Sequence, residues 1–196
     1  MRSFFILPLA AILMMIPTNS CVRGENVSNI VKNDCKNNMI VLNEIPGSIT
    51  VKSYCNDYSF TKDSLTKSLE IFVSEYSNTF SIDPAILWSY LHGLTIELSI
   101  IPRVVEAAYS EDGKLLQGEV PVTGLAFGPK HIWVEIKTSQ IWSSSLVHEL
   151  VHAIVWNQNM GIHGDPDHEG DKFSGWTRKH SDLIKRVNNV LLDAEI

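Results

Sequence analysis

The segment His148-Glu149-Leu150-Val151-His152 lies within an apolar stretch, residues 141–157, that contains neither Gly nor Pro. On a helix, His148 and His152 stand one turn apart, where two imidazole nitrogens can bind one zinc ion. Glu149 projects further round the helix and could serve as a general base. The alternative is a buried helix whose histidines are only hydrogen-bonded. The helix itself is predicted by an apolar arc formed by Val147, Leu150, Val151, Ile154 and Val155.

A catalytic zinc site usually has three protein ligands and one open position, so a third ligand is expected after this helix. Glycines at positions 161 and 164 let the chain turn back, and residues 163–169 supply the candidates. We rank His168 first, because imidazole is a favoured zinc ligand and Asp167 could orient it. The alternative is that this acidic segment is a solvated loop or a calcium site. The lower-ranked ligand candidates are Asp165, followed by His163 or Glu169.

The HExxH segment, together with the strand expected over residues 131–136, resembles the zincin metallopeptidases. The resemblance covers residues 132 to about 169 and implies His148 and His152 as zinc ligands, with Glu149 as general base. It also implies a substrate-pairing strand in or near residues 124–136. Metzincins carry Gly and a third His where this chain has Val155 and Gln158, so that branch is excluded. Glu169 is the nearest counterpart of the Glu that thermolysin-like enzymes take from a later helix.

These residues predict an exported zinc metallopeptidase that cleaves amide bonds in a peptide or protein substrate. Zinc-bound water would attack the carbonyl with help from Glu149. The candidates for stabilising the oxyanion are His163, Arg178 and His180, each of which could equally be an ordinary surface residue. The alternative function is a non-catalytic envelope lipoprotein with a structural or absent metal, acting as an interaction module. A site closed by four protein ligands would favour that module.

Residues 1–20 have the pattern of a signal peptide, with Arg2 ahead of an apolar run over residues 4–16. That run is shorter than the roughly 20 residues of a membrane-spanning helix. Cys21 follows directly, as does the acylated Cys of bacterial lipoproteins. We therefore expect a cell-envelope lipoprotein if Cys21 is acylated, and otherwise a periplasmic or secreted protein. A lipid on Cys21 would be the protein's only link to the membrane.

The chain has three cysteines, and acylation of Cys21 would leave Cys35 and Cys55 as a pair. Export to an oxidising compartment favours a disulfide between them, and such a bridge would add roughly 3 kcal/mol of stability. The alternative is two buried thiols.

Charge and composition exclude two further classes of protein. A formal net charge of −6, without a Lys/Arg-rich stripe, argues against nucleic acid as a partner. A hydrophobic content of 44% excludes a largely disordered chain. The length left after residues 1–20 suits one folded domain. We expect a tether and hairpin over residues 21–60 and the zincin-like domain over residues 61–196.

The remaining pattern predicts an α+β fold with a small mixed or antiparallel sheet packed on the motif helix and further helices. Pro46-Gly47 separates two β-rich segments of a hairpin, residues 39–42 and 48–54. One helix follows Thr61 or Asp63, and a second begins at Asp83-Pro84 and ends at Gly93. Residues 94–122 predict sheet with a turn at 111–113, and residues 131–136 predict a strand with two unlike faces. Residues 182–192 predict an amphipathic helix beneath the site.

Overall fold

The computed structural model describes residues 37–43, 45–54, 60–109, 114–159, 168 and 175–196. Several predictions from the sequence concern other positions and so lie outside the described residues. These are the signal peptide, the acylation of Cys21, the Cys35–Cys55 disulfide, the turn at 111–113, and the ligand candidates His163, Asp165 and Glu169.

In the described chain, two strands are followed by two helices, then by five strands, and finally by two more helices. The strands are β1 Asn37–Leu42, β2 Ile49–Tyr54, β3 Thr95–Ser99, β4 Arg103–Tyr109, β5 Leu115–Val122, β6 Gly124–Gly128 and β7 His131–Glu135. The helices are α1 Lys62–Phe80, α2 Pro84–Leu91, α3 Leu146–Gln158 and α4 Arg178–Asp193, with a 3₁₀ turn at Ile141–Ser143.

Five strands form one mixed sheet in the order β1-β2-β3-β7-β6. The two inner pairings, β2 with β3 and β3 with β7, are parallel, whereas the outer strands β1 and β6 run antiparallel to their neighbours. Helices α1 and α2 lie between β2 and β3 in the chain and supply the crossover that parallel neighbours need. The α+β class and the mixed sheet are therefore confirmed, and the predicted hairpin β1–β2 belongs to the same sheet as the later strands.

Local capping explains where the first two helices begin and end. The Thr61 side chain accepts a hydrogen bond from the Ser64 N–H, and Asp83 accepts one from the Ala85 N–H at 2.8 Å. Each bond satisfies a backbone donor that the first helical turn leaves unpaired. Gly93 follows α2 with a φ of +72°, a conformation that costs glycine little. The predicted starts of α1 and α2 and the predicted end of α2 are thus confirmed.

The two faces of the five-stranded sheet bury cores of different size. The helices cover one face, where Ile96, Ile132 and Val134 join the large core. The β4–β5 hairpin packs over part of the other face and forms a smaller core with Leu125 and Trp133. The predicted alternation of β7 between two unlike faces is confirmed, since Ile132 and Val134 join the large core while Trp133 is buried in the smaller core beneath the hairpin. The hairpin contributes Val105, Ala108, Val120 and Val122.

Helix α3 begins at Leu146, later than the residue-141 start of the apolar stretch, because a 3₁₀ turn occupies Ile141–Ser143. Ser144 and Ser145 follow that turn, and serine side chains compete with backbone helix hydrogen bonds. Every residue of α3 from Leu146 to Val155 is buried, and the helix packs against β6, β7, α2 and α4. Among the described residues, no helix is both long and apolar enough to cross a membrane.

Candidate metal centre

Helix α3 brings His148 and His152 together inside the protein. Their Nε2 atoms are 3.1 Å apart, and the side chains belong to residues that are only 2% and 1% exposed. This separation follows from the spacing of four residues, which places both rings on one helix face in consecutive turns. The motif therefore forms a rigid pair of nitrogens that needs no rearrangement of the backbone.

His168 completes a cluster of three imidazoles. Its Nε2 atom lies 3.3 Å from Nε2 of His152, and the ligand atoms of all three histidines lie within 4.8 Å of one another. A tetrahedral zinc ion with Zn–N bonds of about 2.0–2.1 Å sets its ligand nitrogens about 3.3–3.4 Å apart. Two of the nitrogen separations thus match the edges of such a tetrahedron. The structure brings together the three histidines that the sequence ranked as ligands, while metal binding itself stays a prediction.

Within this histidine cluster (His148, His152 and His168), the environment of His148 favours the neutral form of its imidazole. Burial lowers the pKa of His148 well below its usual 6.5, and the neighbouring His152 and His168 lower it further. A metal ion binds the neutral imidazole, so no proton has to be displaced from His148 near neutral pH. The donor set of three imidazole nitrogens fits zinc, which binds imidazole readily.

The backbone at His168 has an unusual conformation. Its φ of +55° lies in the left-handed region, which costs a residue with a Cβ roughly 1–2 kcal/mol. Glycine or asparagine would adopt this conformation more easily. Strained backbone of this kind is found more often at functional sites than elsewhere.

Glu149 is fully buried and directly follows His148 on α3. Among the described residues, neither of its carboxylate oxygens has a hydrogen-bond partner. The carboxylate lies against Gly124, the first residue of β6, where an added Cβ would come within 3.0 Å of Glu149 Oε1 and Ser145 Oγ. Burial raises the pKa of Glu149 well above its usual 4.5. A buried carboxylate without a protein partner is costly, and a cation or a proton would offset that cost.

Trp176 forms one wall of the cluster, and the sequence analysis missed it. Its ring is stacked on that of His168 with centroids 4.2 Å apart, and it lies 4.6 Å from the His152 ring and 4.9 Å from the His148 ring. Trp176 is 3% exposed, and its Nε1–H donates to Ser181 Oγ at 3.0 Å. In the sequence, Trp176 is recognisable only as an aromatic residue just ahead of Thr177, the N-cap of α4. Such a signal is equally typical of an ordinary core residue.

The two described candidates for oxyanion stabilisation, His180 and Arg178, have other surroundings. His180 is buried, and its Nδ1 accepts the Thr177 N–H at 2.9 Å while its Nε2 lies 3.1 Å from the Tyr76 hydroxyl. The Arg178 side chain is 93% exposed and lies 3.9 Å from Asp182. Neither arrangement supports an oxyanion role. His180 is instead a core residue that joins α4 to α1.

Strand β6 is an outer strand of the sheet, and its first residue, Gly124, lies against the Glu149 carboxylate. The sequence expectation covered residues 124–136, and the structure divides that range between the outer strand β6 and the inner strand β7. Only an outer strand has a backbone edge that can pair with another chain. Within residues 124–136, the strand edge that could pair with another chain is therefore that of β6.

No protein-family model, no curated protein and no solved structure matches this chain. The resemblance to zincins stays a prediction that depends on the motif and on the arrangement of its side chains.

Proposed function

We propose that this protein is a zinc-dependent metallopeptidase that hydrolyses amide bonds in peptide or protein substrates. The observation that carries the proposal is the convergence of three Nε2 atoms, 3.1 Å and 3.3 Å apart along the cluster, with the buried carboxylate of Glu149 on the same helix as two of these histidines. A structural histidine cluster has no need of that carboxylate, which burial makes costly.

His148, His152 and His168 would hold the ion, and Glu149 would move the proton. Zinc, when bound, supplies a Lewis acid that polarises a carbonyl and makes water more acidic. A carboxylate oxygen of Glu149 takes a proton from the attacking water and passes it to the leaving amine. The dry surroundings of Glu149 strengthen its interaction with that proton, because no bulk water competes for the carboxylate.

Strand β6 would hold the substrate. A peptide in extended conformation can add to the outer edge of β6 by backbone hydrogen bonds, as in other strand-addition complexes. Because Gly124 of β6 touches Glu149, this placement sets the peptide backbone beside the general base. The partner we propose is thus an unfolded or loop segment of a protein, and not a nucleic acid.

The second candidate is a non-catalytic interaction module with a structural metal. One observation favours it: His148, Glu149 and His152 are 2%, 0% and 1% exposed, as in a closed site. The two functions differ in the fourth coordination position, which is open only in the enzyme. Cobalt-substituted protein distinguishes them, since a hydroxamate shifts the visible spectrum of an open site and leaves a closed one unchanged.

The direct test is hydrolysis of an unfolded protein such as casein by the zinc-loaded chain and by Glu149→Gln. General-base catalysis contributes about 10²–10⁴-fold, so we expect kcat/KM to fall by at least about a hundredfold. The variant should still bind one zinc ion per chain, because the histidines are unchanged. Equal hydrolysis by both proteins would overturn the role of Glu149, and no hydrolysis by the zinc-loaded chain on casein or a peptide library would favour the module.

The same assay with Gly124→Ala tests where the carboxylate must lie. The added methyl group would displace the Glu149 carboxylate, so activity should fall while zinc stoichiometry is unchanged. Gly128→Ala is the matched control on the same strand, because its Cβ would meet no atom within 4 Å. Equal losses in both variants would point to a general weakening of β6 instead.

A further inference from the structure

We propose that Trp176 is the positioning residue that holds His168 in place as the third metal ligand. The inference rests on the proposed function, since it presumes that the cluster binds zinc. It assigns to Trp176 a role that the HExxH motif does not contain.

The ring contacts distinguish Trp176 from an ordinary core residue. Its indole is nearly parallel to the His168 ring, with an interplanar angle of 23° and a centroid distance of 4.2 Å. The contact with His152 is also inclined by only 33°. A stacked indole fixes both the height and the tilt of the imidazole, which determine where its Nε2 atom lies.

The indole is itself held by the first turn of α4. Its Nε1–H donates to Ser181 Oγ at 3.0 Å, so the ring cannot turn without breaking that bond. The turn is fixed in its own right, because the His180 ring accepts the Thr177 N–H and contacts the Tyr76 hydroxyl of α1. The orientation of Trp176 is therefore set by elements that carry none of the metal ligands.

His168 needs such support more than the other two ligands do. His148 and His152 are fixed by the hydrogen bonds of α3, whereas His168 has a left-handed backbone with a φ of +55°. Without a packed neighbour, its side chain would gain rotamer freedom that metal binding must then remove. The stack orders the ring before the ion arrives, which raises zinc affinity.

The test compares zinc dissociation constants of the full chain, measured by competition with a chromophoric chelator, for four variants. Trp176→Leu removes the stack and should weaken zinc binding about ten- to a hundredfold, the usual effect of losing a residue that orients a ligand. Trp176→Phe keeps an aromatic face and should recover most of that affinity. Ser181→Ala leaves the stack but removes its anchor, with an expected loss of about fivefold. Trp88→Phe, in helix α2, is the control and should match the native protein.

The visible spectrum of the cobalt-loaded chain gives a second readout that a purely structural role would not move. Trp176→Leu should change the band pattern, because His168 is displaced, while Trp88→Phe should leave it unchanged. If the native chain binds no zinc, the proposed function fails. If the native chain binds zinc and Trp176→Leu and Ser181→Ala bind it equally well, the function stands and this inference fails. If Trp176→Leu does not fold, the zinc affinities of Ser181→Ala and Trp176→Phe test the inference instead.

Discussion

The histidine cluster, two of whose members lie on α3, and His180 on α4 are two groups of histidines that differ in what their ring nitrogens face. His180 is 3% exposed, and both of its nitrogens meet protein groups, the Thr177 N–H and the Tyr76 hydroxyl. In the histidine cluster, Nε2 atoms meet other Nε2 atoms. Burial alone therefore does not distinguish a structural histidine from a candidate ligand. The atom that lies opposite each ring nitrogen does distinguish them.

The physical reason is the proton count of imidazole. A neutral ring has one N–H and one acceptor nitrogen, so Nδ1 of His180 accepts and its Nε2–H donates to Tyr76. Three converging Nε2 atoms cannot all be satisfied by one another, because a shared proton joins only two of them. A cation at their centre satisfies all three at once.

The largest expected difference between the two groups is in metal binding. His152→Ala should reduce zinc from one ion per chain to nearly none, whereas His180→Gln should keep the native ratio. With free zinc a thousandfold above the dissociation constant, the native chain should gain about 4 kcal/mol of stability that His152→Ala lacks. Elemental analysis and thermal melts with and without zinc measure both effects. Loss of zinc from His180→Gln would contradict the purely structural role of His180.

Lowering the pH should destabilise the fold through His180. Burial lowers the pKa of His180 from 6.5 to about 4, so above pH 6.5 its folded and unfolded forms are both neutral. Between pH 6.5 and about 4 the unfolded chain binds a proton that the folded chain does not, and stability is lost as the pH falls. The loss should reach about 3 kcal/mol at most.

The measurement is urea unfolding across this pH range with a chelator present, for the native chain and His180→Gln. Their difference isolates His180, since the cluster is common to both proteins. Burial raises the pKa of Tyr76, which therefore stays neutral throughout. Parallel pH curves for the two proteins would show that His180 does not carry this dependence.

Removing the Tyr76 hydroxyl should have the smallest effect. Tyr76→Phe leaves the His180 Nε2–H buried without its partner, which costs about 1–3 kcal/mol, and zinc stoichiometry should be unchanged. The free energy of unfolding and the zinc ratio are the two readouts. A change in the zinc ratio would mean that the network around His180 also supports zinc binding by the histidine cluster and is not purely structural.

Local chemistry made much of the fold predictable. The Thr61 and Asp83 caps, the Pro46-Gly47 turn and the apolar arc of α3 act over a few residues, so a single sequence reveals them. The late start of α3 and the burial of Trp133 were not predictable in this way. The first depends on a 3₁₀ turn, and the second depends on a hairpin that packs over β7.

The candidate site shows the same division. His148, Glu149 and His152 follow from spacing on one helix, and His168 was ranked first from its chemistry. Trp176, Gly124 and the Tyr76–His180 contact were not found, because they unite residues from distant parts of the chain; Tyr76 and His180, for example, are 104 positions apart. These contacts form only in the fold, where α3 packs against β6 and α4, and α4 packs against α1.

The left-handed backbone of His168 sets stability against function at one position. Glycine or asparagine there would relieve the strain, so a library selected only for heat resistance should accumulate them at position 168. Every clone stabilised in that way would have lost the imidazole at position 168 and gained a less strained backbone. Unguided selection for thermostability would therefore remove a histidine of the candidate metal centre, unless zinc is present throughout and its binding to His168 offsets the backbone strain.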